Sequence, residues 1–304
     1  MSKKIFISYR HNDAAWVRDT LYPVLAAGGA RVIVDYRDFD AGIALRKQIS
    51  ERQASADVHL LVLTPDYFTS DYCVDEMRRA VATAPHFTRG TVLPIVLQAC
   101  TLPPEITGGD PLRVDLSGAR NLDAEGWARV LRACGADLGT TAPDWLRAYR
   151  TTLHALRERR SVNLLVRGNP KWRELLDQLK LALPALGLVD LLAGKTATQH
   201  GLIEEILREL VNFNGKLPKN GEHLAEFERQ LETAAPSLLA LKHFDEVGKR
   251  KYTRDLYSSL RFLIMEKRHV TILVQSRAPF AALLPKDHLL STLTMEAVAL
   301  GATP

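Results

Sequence analysis

Five short runs in the first 120 residues, 5–7, 31–35, 58–64, 91–97 and 112–116, are rich in apolar residues, and those at 5–7, 58–64 and 91–97 are apolar at most positions. A strand with one wet face alternates apolar and polar residues, whereas an unbroken apolar run is buried on both faces and needs layers above and below it. Between the runs lie stretches at helical spacing. Trp16, Val17, Leu21, Val24 and Leu25 share a face in 14–27, and a second such stretch covers 43–54. Alternating strands and helices joined by right-handed crossovers predict a doubly wound α/β domain with a parallel sheet. Ligands of such folds gather at the carboxyl ends of the strands, so residues just after the first three strands are the first site candidates.

A Gly-, Ala-, Thr- and Pro-rich segment, GADLGTTAP at 135–143, interrupts this pattern. A second alternation follows, with strand-like runs at 161–166, 187–192, 237–241, 269–274 and 294–300 and helical stretches at 172–183, 202–213, 223–234 and 253–265. The expected organisation is a first domain over 1–136, a linker over 137–150 and a second α/β domain over 151–304. A chain of 304 residues, 46% hydrophobic and 25% charged, is long enough for two cores and unlike a disordered or collagenous sequence.

Several function classes are excluded at this level. The longest apolar stretch, 181–189, is broken by Pro184 and ended by Asp190, far short of the roughly 20 residues that span a bilayer. Ser8, Tyr9 and Arg10 cut off the first apolar run before a signal-peptide core forms, so a cytoplasmic protein is expected. Cys73, Cys100 and Cys134 lie far apart and read as free thiols, and the nine histidines form no metal-binding spacing, so no metal is expected. Residues 1–118 carry a net charge of −1 and the remainder +6, with the basic excess in 147–173 and 249–254. These basic segments read either as solvated faces or as contacts to a phosphate-rich partner such as nucleic acid.

Three segments occur in order: KIFISYRHND, RVIVDYRDFDAG, and HLLVLTPDYF leading to SDYCVDEMRRAV. Together they resemble the boxes of a TIR (Toll/interleukin-1 receptor) domain over residues 3–134. The resemblance implies a flavodoxin-like five-stranded parallel sheet, with 35–42 as the loop after the second strand. NAD-cleaving members of that family carry a glutamate in a pattern like Ser-x-(Trp or Tyr)-Cys-x-x-Glu. Here it reads Ser70, Asp71, Tyr72, Cys73, Val74, Asp75, Glu76.

The spacing has its own physical content, because Tyr72 and Glu76 stand at i and i+4 and share one helix face, with Ser70 or Asp71 as the N-cap. Cleavage of the nicotinamide–ribose bond expels an already cationic group, so no general acid is required. A carboxylate near the ribose stabilises the oxocarbenium-like state. Glu76 is the expected catalytic residue and Tyr72 the wall for the nicotinamide ring. The resemblance places Phe6, Ser8, Tyr9 and Arg10 along the nucleotide pocket, Arg10 toward the pyrophosphate, with Asp35 and Arg37 beside it. NAD⁺ is then a substrate and no cofactor is expected. Blander readings stand beside these: Glu76 pairing with Arg78 or Arg79, Phe6 as core, and Cys73 as packing rather than nucleophile. Ser8 has no evident histidine base.

The second domain resembles a shortened P-loop NTPase core of the STAND type. SVNLLVRGNPKWRELLDQL stands at the first strand and phosphate loop, SLLALKHFDEV at the carboxylate strand, and HVTILVQSRAPF, with Arg277, at the sensor strand. A working loop needs G-x-x-x-x-G-K followed by Ser or Thr, so that backbone N–H groups, a lysine and a hydroxyl close on the phosphates and Mg²⁺. Around Lys171 a proline and a tryptophan replace the glycine and the hydroxyl, and around Lys195 the first glycine is Val189. The acids after Leu241 are delayed to Asp245 and Glu246, and no ATP hydrolysis is expected.

The resulting expectation is an NAD⁺ glycohydrolase releasing nicotinamide and ADP-ribose or a cyclic product, an effector of bacterial antiviral defence activated by self-association. A degenerate second domain would sense a trigger, a partner protein or nucleic acid. The alternatives are a non-enzymatic signalling scaffold and an ATP-regulated switch.

Overall fold

The structure is a computed structural model and describes residues 3–34, 45–87, 90–138, 142–168, 171–218 and 222–300. The chain divides into two compact units, Met1–Arg147 and Ala148–Pro304, each built on a parallel five-stranded sheet.

In the first unit the strands are β1 (Lys4–Ser8), β2 (Arg31–Ile33), β3 (Val58–Leu63), β4 (Val92–Val96) and β5 (Val114–Asp115), in the order β2-β1-β3-β4-β5. β3 is buried at all six positions, as its unbroken apolar run requires. Pro94 sits in β4 opposite Leu61 of β3, while β5 pairs only from Ile95 onward. The short fifth strand asks for no hydrogen bond from the missing Pro94 amide.

The expected helix over 14–27 runs without interruption, as Ala14–Trp16, a π-helical turn over Val17–Leu21 and α1 (Tyr22–Ala27). Pro23 is the cause of the π-helical turn. It has no N–H to donate back one turn, and the wider turn before it absorbs the mismatch. Then come α2 (Leu45–Ala54), α3 (Asp71–Thr83) and α4 (Ala124–Cys134), the last closed by Gly135 at φ +63°, a conformation glycine adopts freely.

The segment expected as a linker is helical from its middle onward, in α5 (Ala142–Arg157). Pro143 falls in the first turn, where a missing amide costs nothing, so the proline that reads as a breaker here starts a helix.

The second unit holds β6 (Val162–Val166), α6 (Trp172–Ala182), β7 (Leu186–Asp190), α7 (Gln199–Val211), α8 (His223–Thr233), β8 (Ser237–Lys242), α9 (Arg254–Arg261), β9 (Val270–Ser276) and β10 (Glu296–Leu300). Its strand order is β10-β6-β9-β8-β7. Buried Asn163 stitches the centre. It donates to Ser276 Oγ at 2.8 Å and accepts from the Phe280 amide at 2.8 Å, so the polar side chain is satisfied inside the core. No helix among the described residues is long and apolar enough to cross a membrane.

One buried group ties the first unit's stability to pH. His59 of β3 is 4% exposed, packs edge-on to Phe6 at 6.3 Å, and leaves Nδ1 without a partner among the described residues. Burial lowers its pKa below the model-compound value of 6.5. The unfolded chain therefore takes up this proton first as pH falls. The histidine's contribution is full above about 6.5 and drains away as pH drops through the lower folded-state value. Urea denaturation at about pH 7.5 and about pH 5.5 should show His59→Leu losing less stability on acidification than the parent. An equal loss in both proteins would remove His59 as the cause.

Candidate functional site

Ser70 opens α3 by accepting a hydrogen bond from the Cys73 amide at 3.4 Å, and this N-cap sets the rotation of the helix. Glu76, one turn in, is turned toward the carboxyl end of β1 and is 8% exposed. Ser8, the last residue of β1, donates from Oγ to Glu76 Oε2 at 2.5 Å. Tyr67 is fully buried. Its hydroxyl lies 2.7 Å from Ser8 Oγ and 3.0 Å from the Cys73 carbonyl, two acceptors for its one proton. The carboxylate is thus held by a hydroxyl from the end of the strand, which itself packs against a buried tyrosine hydroxyl.

The helix is fixed from its other side as well. Gln53 of α2 donates from Nε2 to the Glu76 carbonyl at 2.6 Å and accepts from Arg79 Nε at 2.9 Å. Arg78 pairs with Glu105 at 3.2 Å. The two arginines considered as partners for Glu76 are therefore engaged with Gln53 and Glu105.

A cavity of about 150 Å³ opens beside Glu76, bordered also by Phe6, Tyr9, Arg10, His11 and Tyr72. Tyr72 is 44% exposed, so an aromatic face stands at the mouth and a carboxylate inside, one helical turn apart. Arg10 brings a guanidinium whose buried Nε has no partner among the described residues. Phe6 is 3% exposed and packs on Ile33 and Ile49, so it belongs to the core and to the cavity edge at once. Asp35 and Arg37 lie outside the described residues, as does the rest of the loop over 35–42.

Cys73 donates from Sγ to the Tyr9 carbonyl at 3.4 Å, and burial raises its pKa to about 11. A thiol this basic is protonated at neutral pH and packs rather than attacks. All three cysteines are free. Among the described residues no group of three or more His, Cys, Asp or Glu is placed to hold a metal ion.

Residues 5–131 match the family model of the TIR domain. The first unit carries a TIR domain. An uncharacterized protein y4lF of Sinorhizobium fredii is 33% identical over 100 residues, which is 32% of this chain and 30% of that protein. Toll-like receptor 6 of Bos taurus is 32% identical over 72 residues, 24% of this chain and 9% of the receptor. The match therefore spans less than a third of either relative. Among solved structures, the TIR domain of the Toll-related receptor TRR-2 from Hydra magnipapillata is 19% identical, with a TM-score of 0.38, covering 44% of this chain and 99% of that one. Drosophila ORC bound to DNA is 14% identical, with a TM-score of 0.39, covering 51% and 90%.

Within the TIR domain the structure brings Phe6, Tyr9, Arg10, Tyr72 and Glu76 to one cavity, with Ser8 behind Glu76. Sequence reasoning passed over Tyr67, Gln53 and His11. Tyr67 stands in the PDYF turn, Pro65–Thr69, four residues past the end of β3. The rule that sites gather after strand ends could have drawn attention to it. Gln53 carries no such signal, because it acts on the helix backbone from a neighbouring element.

In the second unit the lysines considered for phosphate binding are committed to acids: Lys171 to Glu174 at 3.4 Å and Lys195 to Glu205. Asp245 accepts from the Arg277 amide at 3.0 and 3.1 Å, and Glu246 pairs with Lys249. At the carboxyl ends of β7 and β8, Asp190 accepts from Lys242 and lies 2.8 Å from His243 Nδ1, while the Trp172 ring stands edge-on to His243 at 5.2 Å. Burial pushes the Asp190 carboxyl up, but the Leu192 amide, which donates to it at 2.9 Å, together with His243 and Lys242 holds its pKa below the usual carboxylate range. Pro170 lies outside the described residues.

Proposed function

We propose that the TIR domain cleaves NAD⁺ at the nicotinamide–ribose bond and that Glu76 is the catalytic residue. The observation that carries this reading is a buried carboxylate oriented by Ser8, facing a cavity with an exposed aromatic ring and an arginine. As the C1′–N bond breaks, its electron pair leaves with neutral nicotinamide and positive charge builds on the ribose carbon. The Glu76 carboxylate stabilises that charge at short range in a partly dry site. Water then adds at C1′ and releases a proton, giving ADP-ribose. If an adenine nitrogen adds instead, the product is cyclic.

Tyr72 would wall the nicotinamide ring and Arg10 would pair with the pyrophosphate. At about 150 Å³ the cavity is below the roughly 300–1,000 Å³ of pockets that enclose a drug-sized ligand, so it receives one end of the dinucleotide. The remainder calls for a neighbouring TIR surface, which agrees with activation by self-association. In the second unit, the loop leaving the interior strand β6 agrees with a P-loop-derived core, and the committed lysines and acids favour a module that senses or assembles rather than hydrolyses ATP. A role in bacterial defence rests on the family resemblance alone.

Purified full-length chain incubated with NAD⁺ should release nicotinamide at a rate per subunit that rises with protein concentration or crowding. No release at any concentration, with the protein folded and self-associated, would leave the scaffold reading in its place.

A further inference from the structure

The second unit contains an open cavity of about 710 Å³ at the amino ends of β10, β6 and β9, away from the carboxyl ends where ligands of such sheets usually gather. The volume is that of a small-molecule site. Its apolar surface comes from Ile264, Met265 and Met295, and its positive charge from Arg159, Arg160 and Arg268. Met265 is 38% exposed although its side chain gains by burial.

Two acids, Glu158 and Glu296, also border the cavity, and Arg160 engages both. It donates to Glu158 Oε2 at 3.0 and 2.8 Å and pairs with Glu296. Arg159 and Arg268 are exposed and make no side-chain hydrogen bond or ion pair among the described residues. Three arginines against two acids leave a net positive charge, and two of the guanidinium groups, on Arg159 and Arg268, are not engaged by the acids.

The backbone at these two residues is unusual. Arg159 and Arg268 have φ of +57° and +54°, the left-handed region that favours glycine after a helix end. Each sits where a helix is turned back, with Arg160 N donating to Ala155 O at 2.8 Å and His269 N to Leu263 O at 3.0 Å. A cation near a helix C-terminus is favourable, but one in the preceding turn serves that end without left-handed backbone. Two arginines in glycine-favouring conformations border one cavity, and strained positions of this kind cluster at ligand clamps.

We propose that this cavity binds a small organic anion, its phosphate or carboxylate held by Arg159 and Arg268 and its apolar or aromatic body lying on Ile264, Met265 and Met295. The guanidinium fork matches either oxyanion bidentately, and methionine adapts to a flat ring or an alkyl chain. The proposal does not depend on NAD⁺ cleavage by the first unit.

The test is calorimetric titration of the full chain at low salt with AMP, octyl phosphate, adenosine and inorganic phosphate. AMP or octyl phosphate should bind with Kd below about 1 mM, the preferred one telling a nucleotide from a lipid-like ligand, and adenosine and inorganic phosphate about tenfold or more weaker. Arg159→Gly with Arg268→Gly removes both charges and keeps the left-handed turns accessible. It should weaken binding about tenfold or more, while Lys249→Gln with Lys251→Gln should not. Met265→Asp, at an exposed position that folding tolerates, should weaken it similarly. The proposal is overturned if neither phosphate binds below about 1 mM, if inorganic phosphate binds as tightly, or if the arginine pair and Met265→Asp leave affinity unchanged.

Discussion

Glu76→Gln is expected to lower nicotinamide release by about 10²–10³-fold while the protein stays folded. The amide keeps the size of the carboxylate and still accepts the hydrogen bond from Ser8 Oγ, so what it removes is the negative charge that meets the ribose cation. Glu76 is 8% exposed, where water screens such a charge poorly and its effect on a cationic transition state is large. The loss should appear in kcat rather than in KM, because substrate and transition state differ in charge at that point. Thermal unfolding and self-association should match the parent. A variant that turns over at the parental rate would move the chemistry away from Glu76 even if the domain cleaves NAD⁺.

Trp127→Ala should cost the first unit about 3–5 kcal/mol. Trp127 of α4 is fully buried, stacks on Trp16 at 6.5 Å and donates from Nε1 to the Asn121 carbonyl at 2.8 Å. Truncation opens a cavity where the ring stood and leaves a carbonyl without its donor, and both losses fall on the layer that covers β5. In urea the midpoint should fall with the slope unchanged, since the surface exposed on unfolding is nearly the same. A cost under about 1 kcal/mol would mean that α4 relaxes into the space.

Much of the architecture was readable before the structure, and the reasons differ from element to element. β3 and β9 announce themselves because every residue is buried, so apolar character cannot alternate. Glu76 and Tyr72 were placed together because i and i+4 neighbours on a helix meet whatever the rest of the fold does. Pro23 and Pro143 acted in different ways. Pro23 lies inside a helix that stays continuous and only widens the turn before it, whereas Pro143 read as a linker signal while starting a helix. A proline's effect depends on its position within the turn, and composition does not reveal that.

The TIR resemblance located the glutamate but not what holds it. Tyr67 and Gln53 act through hydrogen-bonding contacts at Ser8 and at the Glu76 carbonyl, and no periodicity marks such residues. The arginines of the second cavity fall in the same class. Arg159 belonged to a basic segment that read as solvated or as a contact to nucleic acid, and only backbone geometry sets it apart.

The order of amino acids by itself determined most of the strands and helices, the helix over Ala142–Arg157 excepted, and that Tyr72 and Glu76 share a face, because burial pattern and helical spacing act over a few residues. Tertiary structure decided the strand orders, the contact of Ser8 with Glu76 across 68 residues of chain, and the meeting of Arg159 with Arg268 at one cavity. Those depend on which distant segments pair, and pairing is set by competition among whole surfaces, which local sequence does not encode.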